Sequence, residues 1–494
     1  MTQAIGISGF AAYLPPYRVN LSAWCDWTGE SWDKIRAVVG HSFRMRGPGE
    51  NVYTMSASAV MRLIRQYDLD PSRIGFLALG TESSTDNSAG AVIVKGMVNE
   101  GLKAEGRPLL PRHCEVPEFK HACLGGIYAV KSALRYLALD GRGKQALVIS
   151  ADIAEYARAS SGEPTQGAGA VAMLLEAQPQ LLEVDLAQAG SASDYRGPDF
   201  RKPFARFAGQ NIAPGTPLKD FPVFNGKYST TCYVDEVLLA MEDMFQRRAA
   251  DRRGYLDALA AVFMHRPYQR MPETGYAMAY IYALATGSGN DHALLAEICA
   301  SAGIDDVAAV IAELNGRPEV FSLVANAQVD DDVYPLAMQA LRAFRKHPVH
   351  AVSVAGRLSL GAEAMRDVGN LYSAALPAWM AAGFEEAAVG GQELGGRDVL
   401  AIGYGSGDAA EVIPMRVTSK WREAARRIRF QDSFDGAREL DEDDYACLHE
   451  HGHLATASAG SEFLIDRVGC GSRGDYDDLG IEYYRHVPRN PTSG

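Results

Sequence analysis

Two stretches of the chain share one pattern: a polar residue, a helix, then two apolar strands. In the first, Cys123 precedes GGIYAVKSALRYLALD at 125–140, and ALVISAD at 146–152 and GAVAMLLE at 169–176 follow. In the second, Asn370 precedes LYSAALPAWMAAGFEEA at 371–387, and DVLAIGYG at 398–405 and AEVIPMRV at 410–417 follow. Apolar residues at three- and four-residue steps predict the helices, and short apolar runs between turn residues predict buried strands. Two copies packed about a pseudo-twofold would bring both helix starts, with Cys123 and Asn370, to one central site. Helix–strand–strand runs also arise by chance in α/β chains, so the pattern alone leaves duplication and coincidence both open.

The remaining segments fit around these units. MSASAVMRLIRQY at 55–67 has helical periodicity and leads through the turn DLDPSR into GFLALG at 75–80, a short buried strand. The start, MTQAIGISGFAAYLPPYRV, reads as a strand and a loop, because it lacks the basic and apolar regions of a signal peptide. The 494 residues suffice for two core-forming units or one large duplicated one. The expected division is 1–177, a first half; 178–417, a second half with insertions; and 418–494, an extension packing on the core. The stretch 178–260, rich in aromatics, Gly and Pro, reads as a less regular insertion that shapes a substrate entrance.

Composition narrows the function classes. Hydrophobic residues at 47% and charged residues at 22% are ordinary for a folded soluble protein. No apolar run reaches the ~18 residues of a membrane span. Seven cysteines, scattered and odd in number, match neither a zinc spacing nor a disulfide framework, so a reducing cytoplasm is expected and no metal site. A net charge of −13 argues against general nucleic-acid binding, while Arg266 and Arg270 offer a local cluster for an anionic substrate.

Three residues carry candidate chemistry. Cys123, just before a predicted helix, has the setting in which a helix N-terminus favours the thiolate, and Gly125 and Gly126 leave backbone amides for an oxyanion. Taken alone, a lone Cys is more often a buried structural residue. Glu82 in LALGTESSTD follows a buried strand, where desolvation suits a carboxylate to acid–base work; a surface turn acid is the competing reading. His265 in AVFMHRPYQR ends a predicted strand and is alone compatible with a structural hydrogen bond. His449, His451 and His453 read as part of a polar, solvated tail, and His347 and His350 as loop residues. GYGSGD at 403–408 is no phosphate loop, since no Gly-Lys-Ser/Thr follows.

Together these segments resemble the 3-hydroxy-3-methylglutaryl-CoA synthase family of the thiolase superfamily. GTESSTDNSAG resembles the block of the catalytic Glu and gives Glu82; KHACLGGIYAV resembles the nucleophile block and gives Cys123. SADIAEYA followed by PTQGAGAVAML places Asp152 and Tyr156. FPVFNGKYSTTCY resembles a further family stretch, FMHRPYQRM gives His265, and DVGNLYSAAL and IGYGSGDAAEVI give Asn370 and Ser406. The blocks keep the family's order across about 1–417. Two positions depart: Glu163, in ASSGEPTQG, stands where the family has a basic residue, and Leu124 follows the cysteine where an aromatic is common.

The resemblance implies an α/β thiolase-like fold of duplicated βαβαβαββ halves in five αβαβα layers, usually a homodimer. It implies that Cys123 takes the acetyl group of acetyl-CoA and that Glu82 removes a methyl proton. His265 would then orient a β-ketoacyl thioester such as acetoacetyl-CoA. Asn370, Tyr156, Ser406 and Arg270 are the expected substrate contacts, with coenzyme A thioesters as substrates and no further cofactor. The rival readings are a β-ketoacyl synthase, a polyketide β-branching synthase that uses acyl carrier protein, and an inactive scaffold of the same fold.

Overall fold

The computed structural model describes residues 4–84, 89–200, 221–222, 225–248, 251–316, 318–326, 328–329, 331–456, 460–473 and 476–488. Among the described residues ten strands form the main sheet: β1 Ile5–Tyr13, β2 Ile74–Gly80, β3 Glu118–Phe119, β4 Gln145–Ala154, β5 Gly167–Ala177, β6 Leu182–Val184, β7 Gly190–Ser193, β8 Ala261–Met264, β9 Asp398–Gly405 and β10 Ala409–Val417. The helices that position the site are α1 Val52–Gln66, α2 Gly90–Ala104, α3 Gly125–Ala138, α4 Lys227–Arg248, α5 Arg270–Ala285, α6 Ala375–Val389 and α7 Glu442–His451.

The duplication is real. In the first half β4 pairs parallel with β2 and antiparallel with β5; in the second, β9 pairs parallel with β8 and antiparallel with β10. Strand β6 pairs with both β1 and β10 and so joins the halves. Buried on both faces, β2, β4 and β9 read as continuous apolar runs rather than as alternating ones.

Helices α1 and α2 share one core with the first half of the sheet, and α4 and α5 share another with the second. Helix α3 lies between the halves, because glycines remove side chains at its contacts. A Cβ on Gly126 would stand 2.0 Å from the Ser150 hydroxyl of β4, and one on Gly403 of β9 would stand 2.6 Å from Leu124. Helix α6 packs Gly383 and Phe384 against Phe263 of β8, completing the central layer of a thiolase-like arrangement.

The structure corrects several expectations. The stretch 227–248, expected to be irregular, is one long helix, α4. Residues 201–220 of the expected insertion lie outside the described residues. His350 is helical and bonds Glu273 Oε1 through Nε2 at 2.8 Å. His449 and His451 lie in α7, and His449 is buried. The strand Arg438–Glu439 pairs parallel with Tyr17 and Arg18, so the segment after 418 lies against the first half. Among the described residues no helix is long and apolar enough to cross a membrane.

Candidate active site

The turns ahead of α3 and α6 meet at one cavity of about 320 Å³, lined among others by Cys123, Tyr156, His265, Asn370 and Ser406. Five residues singled out from the sequence therefore converge. Glu82 joins them from the end of β2: the Cys123 thiol donates to Glu82 Oε2 at 3.2 Å. Each turn holds a non-glycine residue in a left-handed conformation, Ala122 at φ 43° before Cys123 and Tyr372 at φ 44° after Asn370. Such backbone costs about 1–3 kcal/mol and persists only where the surroundings hold it.

Asp152 at the end of β4 holds the second of these turns, through Ser373. Its Oδ1 accepts from Thr81 Oγ1 (3.0 Å), from the Glu82 and Ser83 amides (both 2.8 Å) and from Ser83 Oγ (2.7 Å). Its Oδ2 accepts from the Ser373 amide at 2.9 Å and from the Ser373 hydroxyl. One buried carboxyl group thus clamps the Glu82 turn to the Asn370 turn across the two halves. Asn370 is buried, its Oδ1 accepting from the Tyr372 amide at 2.9 Å and its own amide donating to Thr165 O at 2.9 Å.

Cys123 departs from expectation in its ionisation. Burial, and then the Glu82 carboxylate beside it, push the thiol well above the usual cysteine value. The helix N-terminus does not dominate, because desolvation and a neighbouring negative charge both oppose a thiolate. The group facing the cavity is a neutral thiol hydrogen-bonded to the Glu82 carboxylate.

His265 follows β8, held by its amide donating to Ile402 O at 2.8 Å and by its carbonyl accepting from Tyr233 Oη at 3.1 Å. Burial lowers its pKa to about 3, so the ring is neutral, and Nδ1 is buried with no hydrogen-bond partner among the described residues. Its face stacks on Tyr404 at 6.4 Å. The Tyr404 hydroxyl lies 2.8 Å from Asp199 Oδ2 and 2.9 Å from Asp408 Oδ1. Burial first, and then Asp199, push the Asp408 carboxyl up to about 8. Asp199, Cys232 and Asp408 place three ligand-type atoms within 4.8 Å of one another, which a cation could use. The Tyr404 hydroxyl and Arg196, whose Nη1 is 3.5 Å from Asp408 Oδ2, already take up oxygens of both acids, so the group reads as an acid pair bridged by the Tyr404 hydroxyl.

The expected basic cluster is absent. Arg266 is buried, its Nη1 donating to Ala362 O at 3.0 Å and its guanidinium lying over Trp379; burial lowers its pKa to about 10. Arg270 is half-exposed, 3.9 Å from Glu273, and does not line the cavity, although Met271 does. Sequence reasoning missed the apolar walls, Tyr372, Phe200, Tyr268 and Tyr404, and the acids Asp199 and Asp408. Of these only Phe200 and Asp199 fall in the aromatic-rich stretch 178–260, which was their one visible signal.

A profile of the family described as "Hydroxymethylglutaryl-coenzyme A synthase N terminal" matches residues 1–179. The hydroxymethylglutaryl-CoA synthase of Haloferax volcanii is 26% identical over 433 residues, 86% of each chain. That of Enterococcus faecalis is 30% identical over 268 residues, 54% of this chain and 62% of its own length. Among solved structures, MvaS in complex with 3-hydroxy-3-methylglutaryl coenzyme A superposes with a TM-score of 0.75 at 24% identity, over 99% of this chain and all of that one.

Proposed function

We propose that this chain is a member of the hydroxymethylglutaryl-CoA synthase family, a reading supported by the profile match over residues 1–179, and that its cavity condenses acetyl-CoA with acetoacetyl-CoA, or a related β-ketoacyl thioester, on Cys123. The observation that carries this reading is the thiol of Cys123 donating to Glu82 beside a cavity that also holds His265 and Asn370.

Glu82 takes the thiol proton as Sγ attacks the acetyl carbonyl carbon; the C–S bond to coenzyme A breaks, and the departing thiolate leaves as the thiol with the proton that Glu82 returns. With acetyl on Cys123, the carboxylate that faced the thiol faces the thioester methyl and removes one of its protons. The enolate carbon then bonds to the β-carbonyl carbon of the second substrate, whose oxygen is met by the neutral His265 ring as a hydrogen-bond donor and becomes a hydroxyl by taking up the proton that Glu82 removed. Water finally cleaves the bond to Sγ, releasing the product acid and restoring the thiol. Asn370, Tyr156 and Ser406 wall the substrate. Arg270 keeps only a role outside the cavity, toward the polar end of a thioester.

A β-ketoacyl synthase would use Cys, His and Asn without Glu82, and the direct Glu82–Cys123 contact favours the synthase reading. Two copies of the chain, in the cytoplasm, form part of the proposal; β3 ends the sheet and leaves an edge on which a second copy can pair. Incubation with labelled acetyl-CoA and peptide mass mapping should place one acetyl group on Cys123, and Cys123→Ser should lower acetyl transfer ~10³-fold or more. Acetylation elsewhere, with Cys123→Ser fully active, would refute the assignment.

A further inference from the structure

The loop between β4 and β5 forms one wall of the cavity through Tyr156, Ser161, Gly162 and Thr165. Behind that wall lies helix α7, from the C-terminal extension. The Tyr445 hydroxyl donates to Glu163 Oε1 at 2.6 Å and accepts from Gln166 Nε2 at 3.0 Å. His449 Nε2 stands 2.9 Å from Tyr156 O and 3.2 Å from Gln166 Oε1, and Gln166 Oε1 also accepts from the Tyr156 amide at 2.9 Å. Two side chains of one helix therefore reach both ends of the loop that carries the wall.

Glu163 is the centre of this contact and is fully buried. Arg158 Nε lies 2.9 Å from its Oε1, and the Ala159 amide donates to its Oε2 at 2.6 Å. The Arg158 guanidinium also lies over the Tyr445 ring at 4.6 Å. The ring is itself held between Trp27 and Phe43, at centroid distances of 6.1 and 6.0 Å. A buried carboxylate is tolerated only while its donors stay in place. The donors come from the loop itself and from α7, so the loop adopts this shape only with α7 docked. Tyr156 lies at the start of that loop and packs in one apolar cluster with Cys123 and Tyr372.

We propose that Tyr445 and His449 are positioning residues for the cavity: through Glu163 and Gln166 the C-terminal extension sets the Tyr156 wall against Cys123 and thereby sets how tightly acyl thioesters are held. The inference rests on reading the cavity as the acyl site. The latch holds a wall and touches no reacting atom, so its loss weakens binding of both thioesters and spares the chemical steps.

The test uses the full chain. Tyr445→Phe keeps the ring packing and removes the hydroxyl. It should raise KM for the thioesters about tenfold with kcat changed less than about threefold, and should speed hydrogen exchange at the Tyr156 and Ala159 amides. Adding Glu163→Gln to it should recover part of the lost KM, since an amide left without the hydroxyl costs less than a carboxylate. If Tyr445→Phe does not fold, His449→Leu should raise KM in the same way and His449→Gln, which still donates to Tyr156 O, should restore it. Unchanged KM and unchanged exchange in a folded variant would overturn the latch, as would equal loss of kcat and KM without rescue. Failure of Cys123 to acetylate in the unsubstituted chain would instead overturn the acyl-site reading, and the exchange result would still report on the latch.

Discussion

Asp152, behind the Cys123 side of the cavity, and the Asp199–Asp408 pair, behind the His265 side, are all buried carboxyl groups with different surroundings. Asp152 accepts from Thr81, from the backbone and hydroxyls of Ser83 and Ser373, and from the Glu82 amide. Asp199 and Asp408 hold the Tyr404 hydroxyl between them, and one oxygen of Asp199 has no partner among the described residues. A carboxyl group surrounded by donors acts as a clamp, whereas one facing another acid keeps a proton. Under the proposed function the difference divides the cavity: its first-half side would supply the base and the nucleophile, and its second-half side neutral groups that hydrogen-bond without exchanging charge.

Removing the base breaks that division most severely. In Glu82→Ala the condensation should fall ~10²–10⁴-fold, measured with preloaded acetyl-enzyme and acetoacetyl-CoA. Loading of Cys123 should fall less, because the same substitution removes the negative charge that pushes the thiol up. Condensation left unchanged in a folded Glu82→Ala would remove Glu82 from the mechanism.

On the neutral side, His265→Ala should slow use of the second substrate ~10²-fold while acetylation of Cys123 persists. Because burial holds the ring near a pKa of about 3, the pH–rate profile of the unsubstituted protein should show no limb from this histidine between about pH 5 and 8. Loss of acetylation in the variant would make His265 the activating base.

The smallest effect concerns stability. Asp408 rises from 3.8 to about 8 on folding, so the folded state binds the proton more tightly. That contribution is complete below about pH 4 and is lost progressively as pH rises toward about 8, with a slope of at most about 1.4 kcal/mol per pH unit. Asp408→Asn should flatten the fall of Tm across this window in thermal melts. The flattening should be partial, because Glu236, raised to about 7 chiefly by burial, has the same sign and remains. An unchanged slope would remove the proton from the pair.

Much of the site was legible because its residues sit at points where local pattern is strong. Cys123 precedes a helix that a Gly pair brings against the sheet, Asn370 precedes the repeat of that helix, and Glu82 and His265 follow apolar strands. Asp199 and Asp408 were not legible, since they lie in turns and acquire their character only beside each other and Tyr404. His449 read as solvated because the polar residues around it in the chain hide that one face of α7 is buried.

By itself the sequence determined the order of helices and strands in both halves and the small residues at the crowded helix starts, because these follow from periodicity and excluded volume over short spans. Tertiary structure alone decided that the Cys123 thiol is held up rather than down, that Arg266 is enclosed over Trp379 rather than offered to substrate, and that α7 reaches the cavity wall through Tyr445, 282 residues after Glu163. The reason is physical: ionisation and accessibility depend on burial and on charges brought close through space, and neither is encoded in neighbouring residues.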